Sequence, residues 1–200
     1  LPCRSAAAAD LPRVWDLLRR HWDGRALSPD LCLREFSEEW TRDASLTLED
    51  AVLAERNGAV VGFGALWDQR PLRQELVLAR GFRLSLFAAA ARLWSKVSGS
   101  PGLTKLGSPV PLAWVKHFGA TDLDAARAVR DSLLERARQR DLRFVMLALD
   151  GADPLAPVCR GYPHLNFAST LRVASIGPGR PPIAQLSNGL FQFGNAVGQL

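Results

Sequence analysis

Cysteine is scarce in this chain, and so are most residues that assemble a metal site. Cys3, Cys32 and Cys159 are odd in number and far apart. They exclude a disulfide framework and read as reduced cytosolic thiols. With His21, His117 and His164 they form no Cys-x-x-Cys or His-Glu-x-x-His spacing, so no metal is expected. Long apolar runs are missing too. The most hydrophobic window, 82–97, is broken by Arg83, Arg92 and Lys96, which excludes a bilayer span. The first residues, Leu1-Pro2-Cys3-Arg4-Ser5, lack the charged and then apolar stretches of a signal peptide. A cytoplasmic protein without membrane contact is the expectation.

Lysine is scarce as well. Of 25 basic residues only Lys96, Lys105 and Lys116 are lysines, against 20 acidic residues and a net charge of +5. The basic residues are spread along the chain and form no run. They carry no aromatic-basic interleaving, so a nucleic-acid partner is not expected. What is present is ordinary for a globular protein: 48% hydrophobic and 22% charged residues over 200 positions. That length fits one domain, read as residues 1–176 with an irregular tail at 177–200.

The spacing predicts a short first strand near residues 2–6. A helix follows from an Asp10 cap, with Leu11, Val14, Leu17, Leu18 and Trp22 on its apolar side. Ser28-Pro29-Asp30 opens a second helix with Leu31, Leu33, Phe36 and Trp40 inward and Glu38, Glu39 and Arg42 on a solvated face. The clearest local signal is a β-hairpin, residues 51–56 and 59–67 joined by Asn57-Gly58, the pair a type I′ turn needs. Residues 74–79 read as a third meander strand. An inserted helix and loop then occupy about 83–111. The helix, Arg83 to Val97, has an apolar stripe that calls for a cover, from the protein itself or from a second copy in a homodimer. Residues 112–120 read as a strand and 121–140 as a helix. Residues 142–149, nearly all apolar, read as a strand buried on both faces. A short helix at 153–160 and a strand at 166–176 complete the pattern. This order makes an α/β (α+β) chain with a mixed, mostly antiparallel sheet flanked by helices.

The pieces that carry a family resemblance are Ala9-Asp10-Leu11-Pro12 with Val14 and Leu17, the hairpin Val52 to Gly62, and the helix-strand unit Leu133 to Leu149. In this order they resemble the GNAT acyltransferases over most of residues 2–175. The resemblance implies acetyl-CoA as co-substrate and an amine of a small molecule or peptide as acceptor. It implies a GNAT-like fold whose acyl donor lies beside Phe118 and Ala120, where two strands part. The family motif Gln/Arg-x-x-Gly-x-Gly/Ala, in which small residues let backbone N–H groups close on a pyrophosphate, falls on Ala125, Ala128 and Arg130. Arg127 and Arg130, three apart, could supply guanidinium contacts in its place. Asp122 and Asp124 stand where a helix cap belongs and where they repel phosphate.

The resemblance also implies an acid, usually a Tyr four residues before a Gly-Phe pair. Pro157 stands at that position, which leaves Tyr162, the one tyrosine of the chain, as the nearest substitute. His117 is the candidate base, with a pKa near 6.5 suited to taking a proton from an amine. Asp68 and Glu75 are the candidate substrate-binding carboxylates. Two functions stay open at this point: N-acetyltransfer by direct attack of the amine, or a GNAT-like module for binding or dimerisation that has lost coenzyme A.

Overall fold

A computed structural model describes residues 1–23, 31–42, 45–72, 76, 106–149 and 153–161. Five strands form its sheet: β1 (Cys3–Ser5), β2 (Ala51–Arg56), β3 (Ala59–Trp67), β4 (Leu112–Ala120) and β5 (Phe144–Met146). They lie side by side in chain order. The first four run antiparallel and β5 runs parallel to β4. The helices are α1 (Leu11–Trp22), α2 (Leu33–Arg42) and α3 (Leu123–Gln139). The mixed sheet with flanking helices is the architecture the residue pattern implies.

The hairpin forms for the stated reason. Asn57 and Gly58 take φ of 52° and 77°, both in the left-handed region that a type I′ turn requires. Helix α3 lies on one face of the sheet with an apolar side of Ala125, Ala126, Val129, Leu133 and Ala137. It comes close because β3 offers glycine there. A Cβ on Gly62 would stand 3.0 Å from Val129 Cγ2 and 3.2 Å from the Ala125 carbonyl oxygen. On the opposite face α1 and α2 bury Val14, Leu17, Leu18, Trp22, Phe36 and Trp40 against Leu53, Phe63 and Trp67.

Several expectations change. Asp10 does not cap α1. It ends a preceding 3-10 turn, accepts from the Ala7 backbone N–H at 2.9 Å, and is gripped by Arg4 at 2.6 Å. That guanidinium holds its pKa down to about 2. Leu33 is 37% exposed, so the buried side of α2 rests on Phe36 and Trp40. The 142–149 run yields only the three residues of β5, and these are half-buried, not enclosed on both faces. The short helix after it is a 3-10 turn, Ala156–Cys159. The inserted helix at Arg83 to Val97, the strand at 166–176, the tail, Glu75 and Tyr162 lie outside the described residues. So does the third meander strand, apart from Leu76, which bridges Pro109.

Candidate functional site

The site is built on the distortion of β4. Opposite β3, Ala120 pairs with Gly62 and Gly119 with Phe63, but the next register pair is Lys116 with Ala65. His117 and Phe118 therefore stand across from Gly64 alone, a β-bulge with one extra residue on β4. His117 takes φ of 55°, a conformation that costs a non-glycine residue roughly 1–2 kcal/mol. The extra residue breaks the alternation of side chains. Ala113, Val115, Phe118 and Ala120 join the apolar cluster under α3. Lys116 and His117, although consecutive, both turn to the α1–α2 face.

There they share one carboxylate. Glu39 on α2 accepts from Lys116 Nζ through one oxygen and lies 2.6 Å from His117 Nε2 through the other. The bonds from His117 and Lys116 outweigh the cost of burial and hold the Glu39 pKa down to about 2. Lys116 also sits 4.6 Å from the centre of the Trp67 ring, a cation–π contact. His117 is enclosed by Phe36, Trp22 and Trp40, with ring centres 5.2, 5.9 and 6.0 Å away. This burial lowers its pKa below 6.5, against the opposing pull of Glu39. The imidazole is thus neutral near pH 7. With Nε2–H donated to Glu39, Nδ1 keeps its lone pair and has no hydrogen-bond partner among the described residues. A carboxylate that fixes the tautomer of a histidine and leaves its other nitrogen unpaired has the chemistry of a general base, although Nδ1 is buried here.

The described pairing of β4 with β5 ends ahead of the bulge. The parallel pairing covers Leu112 to Trp114 against Phe144 to Met146 and, among the described residues, goes no further. The segment after β5 borders the gap, where Leu155 and Val158 share one apolar cluster with Phe118 and Ala120. Asp153, in the same segment, accepts from the Leu155 N–H at 2.8 Å and lies 3.6 Å from His21 Nε2 on α1.

The positions that the motif assigns to the coenzyme are helical. Asp122 caps α3, accepting from the Ala125 N–H at 2.9 Å, while its carbonyl accepts from the Ala126 N–H at 3.0 Å. Ala125 is buried and Ala128 half-buried on the helix, and their backbone lies inside its hydrogen-bonded turns. Arg127 pairs with Asp124 at 3.2 Å. Arg130 donates to the Val158 carbonyl and pairs with Asp131 at 2.7 Å. A diphosphate held by backbone N–H groups fits this segment poorly, because the Ala125 N–H is engaged by the Asp122 carboxylate and Asp124 adds a second negative charge to the first turn. Asp68 follows the end of β3 and is bound to Arg70 at 2.6 Å. Among the described residues no helix is long and apolar enough to cross a membrane.

The pattern of residues hid Glu39, which reads as solvated face beside Glu38. One signal was available. Glu39 follows Phe36 by three and precedes Trp40, so it borders the buried stripe of α2. Lys116 and His117 are adjacent polar residues in an apolar strand, and such a pair demands a partner.

No protein-family profile matches this sequence, and no curated protein does. Solved structures do match. A predicted acetyltransferase of Clostridium acetobutylicum, solved with acetyl-CoA, superposes with a TM-score of 0.54 at 13% identity, over 86% of this chain and 95% of that one. A ribosomal-protein-alanine N-acetyltransferase of Brucella melitensis biovar Abortus superposes with a TM-score of 0.53 at 14% identity, over 86% and 99%. The chain has the fold of the GNAT acyltransferases.

Proposed function

We propose that this chain is an N-acyltransferase of the GNAT class, in which an amine of a small molecule or peptide attacks an acyl thioester directly. The observation that carries the reading is the β4 bulge, which sets a carboxylate-tethered imidazole beside the parting of β4 and β5. His117 is the base, receiving the ammonium proton at Nδ1. The C–N bond forms as the C–S bond breaks, and the thiolate leaves. Tyr162 is the proposed acid for that thiolate. Phe118 and Ala120 are the proposed donor-side residues, and Asp68 and Glu75 the proposed acceptor-binding carboxylates. The shared fold with acetyltransferases supports the class and leaves the acceptor to experiment. Residues 1–176 are proposed as one domain.

A specific observation favours a second reading, a module for binding or dimerisation that does not catalyse. Phe118 and Ala120 are packed with Leu155 and Val158, and the phosphate segment is a capped helix. Thioester consumption across a broad amine panel separates the two. On the first reading His117→Ala lowers kcat/KM by about 100-fold, the low end for a positioned base. The acid limb of the wild-type profile then lies below pH 6.5, because burial favours the neutral imidazole. Melting curves establish that the variant is folded. An unchanged rate in a folded His117→Ala protein removes His117 from the mechanism. No consumption of any thioester by the wild-type protein selects the second reading.

A further inference from the structure

We infer that the Asp122 carboxylate takes the place of a donor phosphate at the start of α3, so that this chain recognises an acyl thioester without its phosphates. The donor half of this inference rests on the proposed acyl transfer; the exclusion of phosphate rests on the helix alone.

A helix N-terminus attracts an anion because its first N–H groups lack partners and its dipole is positive there. In this chain the anion is internal. Asp122 Oδ1 accepts from the Ala125 N–H, and Oδ2 accepts from Thr121 Oγ1 at 3.0 Å. Arg56, on β2, closes over the same carboxylate at 2.8 Å. That guanidinium is engaged by the cap. These bonds, that of Arg56 foremost, lower the Asp122 pKa to about 2, so the group is charged throughout the working range of pH. Asp124 adds a second carboxylate to the first turn. A diphosphate arriving there meets two like charges and a helix end whose cap is already filled.

Of the two arginines on this part of α3, one is built into the fold. Arg130 ties α3 to the Val158 carbonyl, and Arg127, exposed on the helix, is drawn toward Asp124 by a weak surface pair. On the proposed acyl transfer, the donor class is therefore an acyl-pantetheine thioester, to whose recognition the nucleotide end of coenzyme A adds nothing.

The test uses two readouts. In the first, the backbone amides of Leu123, Asp124 and Ala125 are followed by NMR while inorganic pyrophosphate is added. They stay still in the wild-type protein up to millimolar concentration. In the Asp122→Ser, Asp124→Asn variant, which keeps a good capping residue and drops both charges, they shift in a salt-sensitive way. Wild-type shifts at micromolar pyrophosphate overturn the inference. A folded variant whose amides do not respond overturns the assignment of the carboxylates as the cause. In the second readout, acetyl-CoA and acetyl-pantetheine are compared as donors. Their kcat/KM values agree within about threefold, under 1 kcal/mol. An advantage of tenfold or more for acetyl-CoA that fades with salt overturns the donor assignment. Turnover of neither donor, with still amides in the wild type and responsive ones in the variant, defeats the acyl-transfer reading and leaves the exclusion of phosphate standing.

Discussion

On one face of the sheet α3 lies against glycine and alanine; on the other, α1 and α2 lie against phenylalanine and tryptophan. The first contact is dry and close. Gly62 and Gly64 on β3 let Val129, Leu133 and the Ala125 backbone approach to van der Waals distance. The second is wide and encloses charge. Phe36, Trp22 and Trp40 surround His117, and the Glu39–Lys116 pair sits at its rim. One strand serves both faces because the β4 bulge turns two consecutive residues the same way. A small-residue interface holds a helix rigidly and leaves no room for chemistry. A large-residue interface leaves polar space to be filled, and here an ion pair and an imidazole fill it.

The largest expected effect breaks the charged side. Glu39→Ala leaves Lys116 and His117 buried without their partner. Loss of one member of a buried pair costs roughly 3–5 kcal/mol, and the lower end of about 3 applies because Glu39 keeps an exposed edge. Urea unfolding measures it. Glu39→Gln with Lys116→Met keeps an acceptor for the His117 Nε2–H and removes both charges. That pair should recover to within about 1 kcal/mol of wild type, since a buried ion pair is worth little against an apolar replacement. A double variant as unstable as Glu39→Ala would show that the charges themselves hold α2 on the sheet. Acid acts in the same direction. The neutral, buried His117 has a pKa below its unfolded value of 6.5, so the unfolded state takes up its proton first. Its stabilising share is complete above pH 6.5 and falls as pH drops below it. The share of Glu39 is complete above its unfolded value of 4.5 and fades as pH falls toward about 2.

The dry face gives the next effect. Gly62→Ala puts a methyl 3.0 Å from Val129 Cγ2 and 3.2 Å from the Ala125 carbonyl oxygen. The side chain can rotate away, but the helix backbone cannot, so the change costs about 1–2 kcal/mol by overpacking. Adding Val129→Ala should return part of it. If Gly62→Ala is neutral by thermal melting, α3 is looser on the sheet than the small-residue contact requires.

These two faces also differ in how far they are legible in the residues alone. The hairpin follows from Asn57-Gly58, and β4 begins and ends where its apolar run does, at Leu112 and Ala120. Helix α3 follows from its alanine and leucine spacing together with Asp122. Each of these signals is local. The bulge is not, because nothing in Leu112 to Ala120 marks where the alternation slips, and a positive φ at a histidine is set by the tertiary contacts around it. The Glu39 pairing joins residues 77 and 78 positions apart. It is written in geometry and only hinted at by the polar step in β4. The helical start of α3 was visible as a cap, yet its consequence for phosphate needed Arg56, 66 residues away.

The smallest expected effect distinguishes the two arginines that a phosphate-binding role would treat alike. Arg127 is exposed, and its partner Asp124 is more so. Such a pair at i,i+3 contributes about 0.2–0.5 kcal/mol, so Arg127→Ala should move the melting temperature by no more than a few degrees. Arg130 is mostly buried and holds the Val158 carbonyl, so Arg130→Ala leaves that acceptor without its partner and costs roughly 1–2 kcal/mol. The ratio is the informative quantity. A stitch between α3 and the segment after β5 makes Arg130 several-fold more important to stability than Arg127. It also makes neither variant lose affinity for an acyl thioester through lost phosphate contacts. Equal, small stability losses with at least tenfold weaker acetyl-CoA binding in both would instead place the two guanidinium groups on a phosphate, and the self-capped reading of α3 would have to be given up.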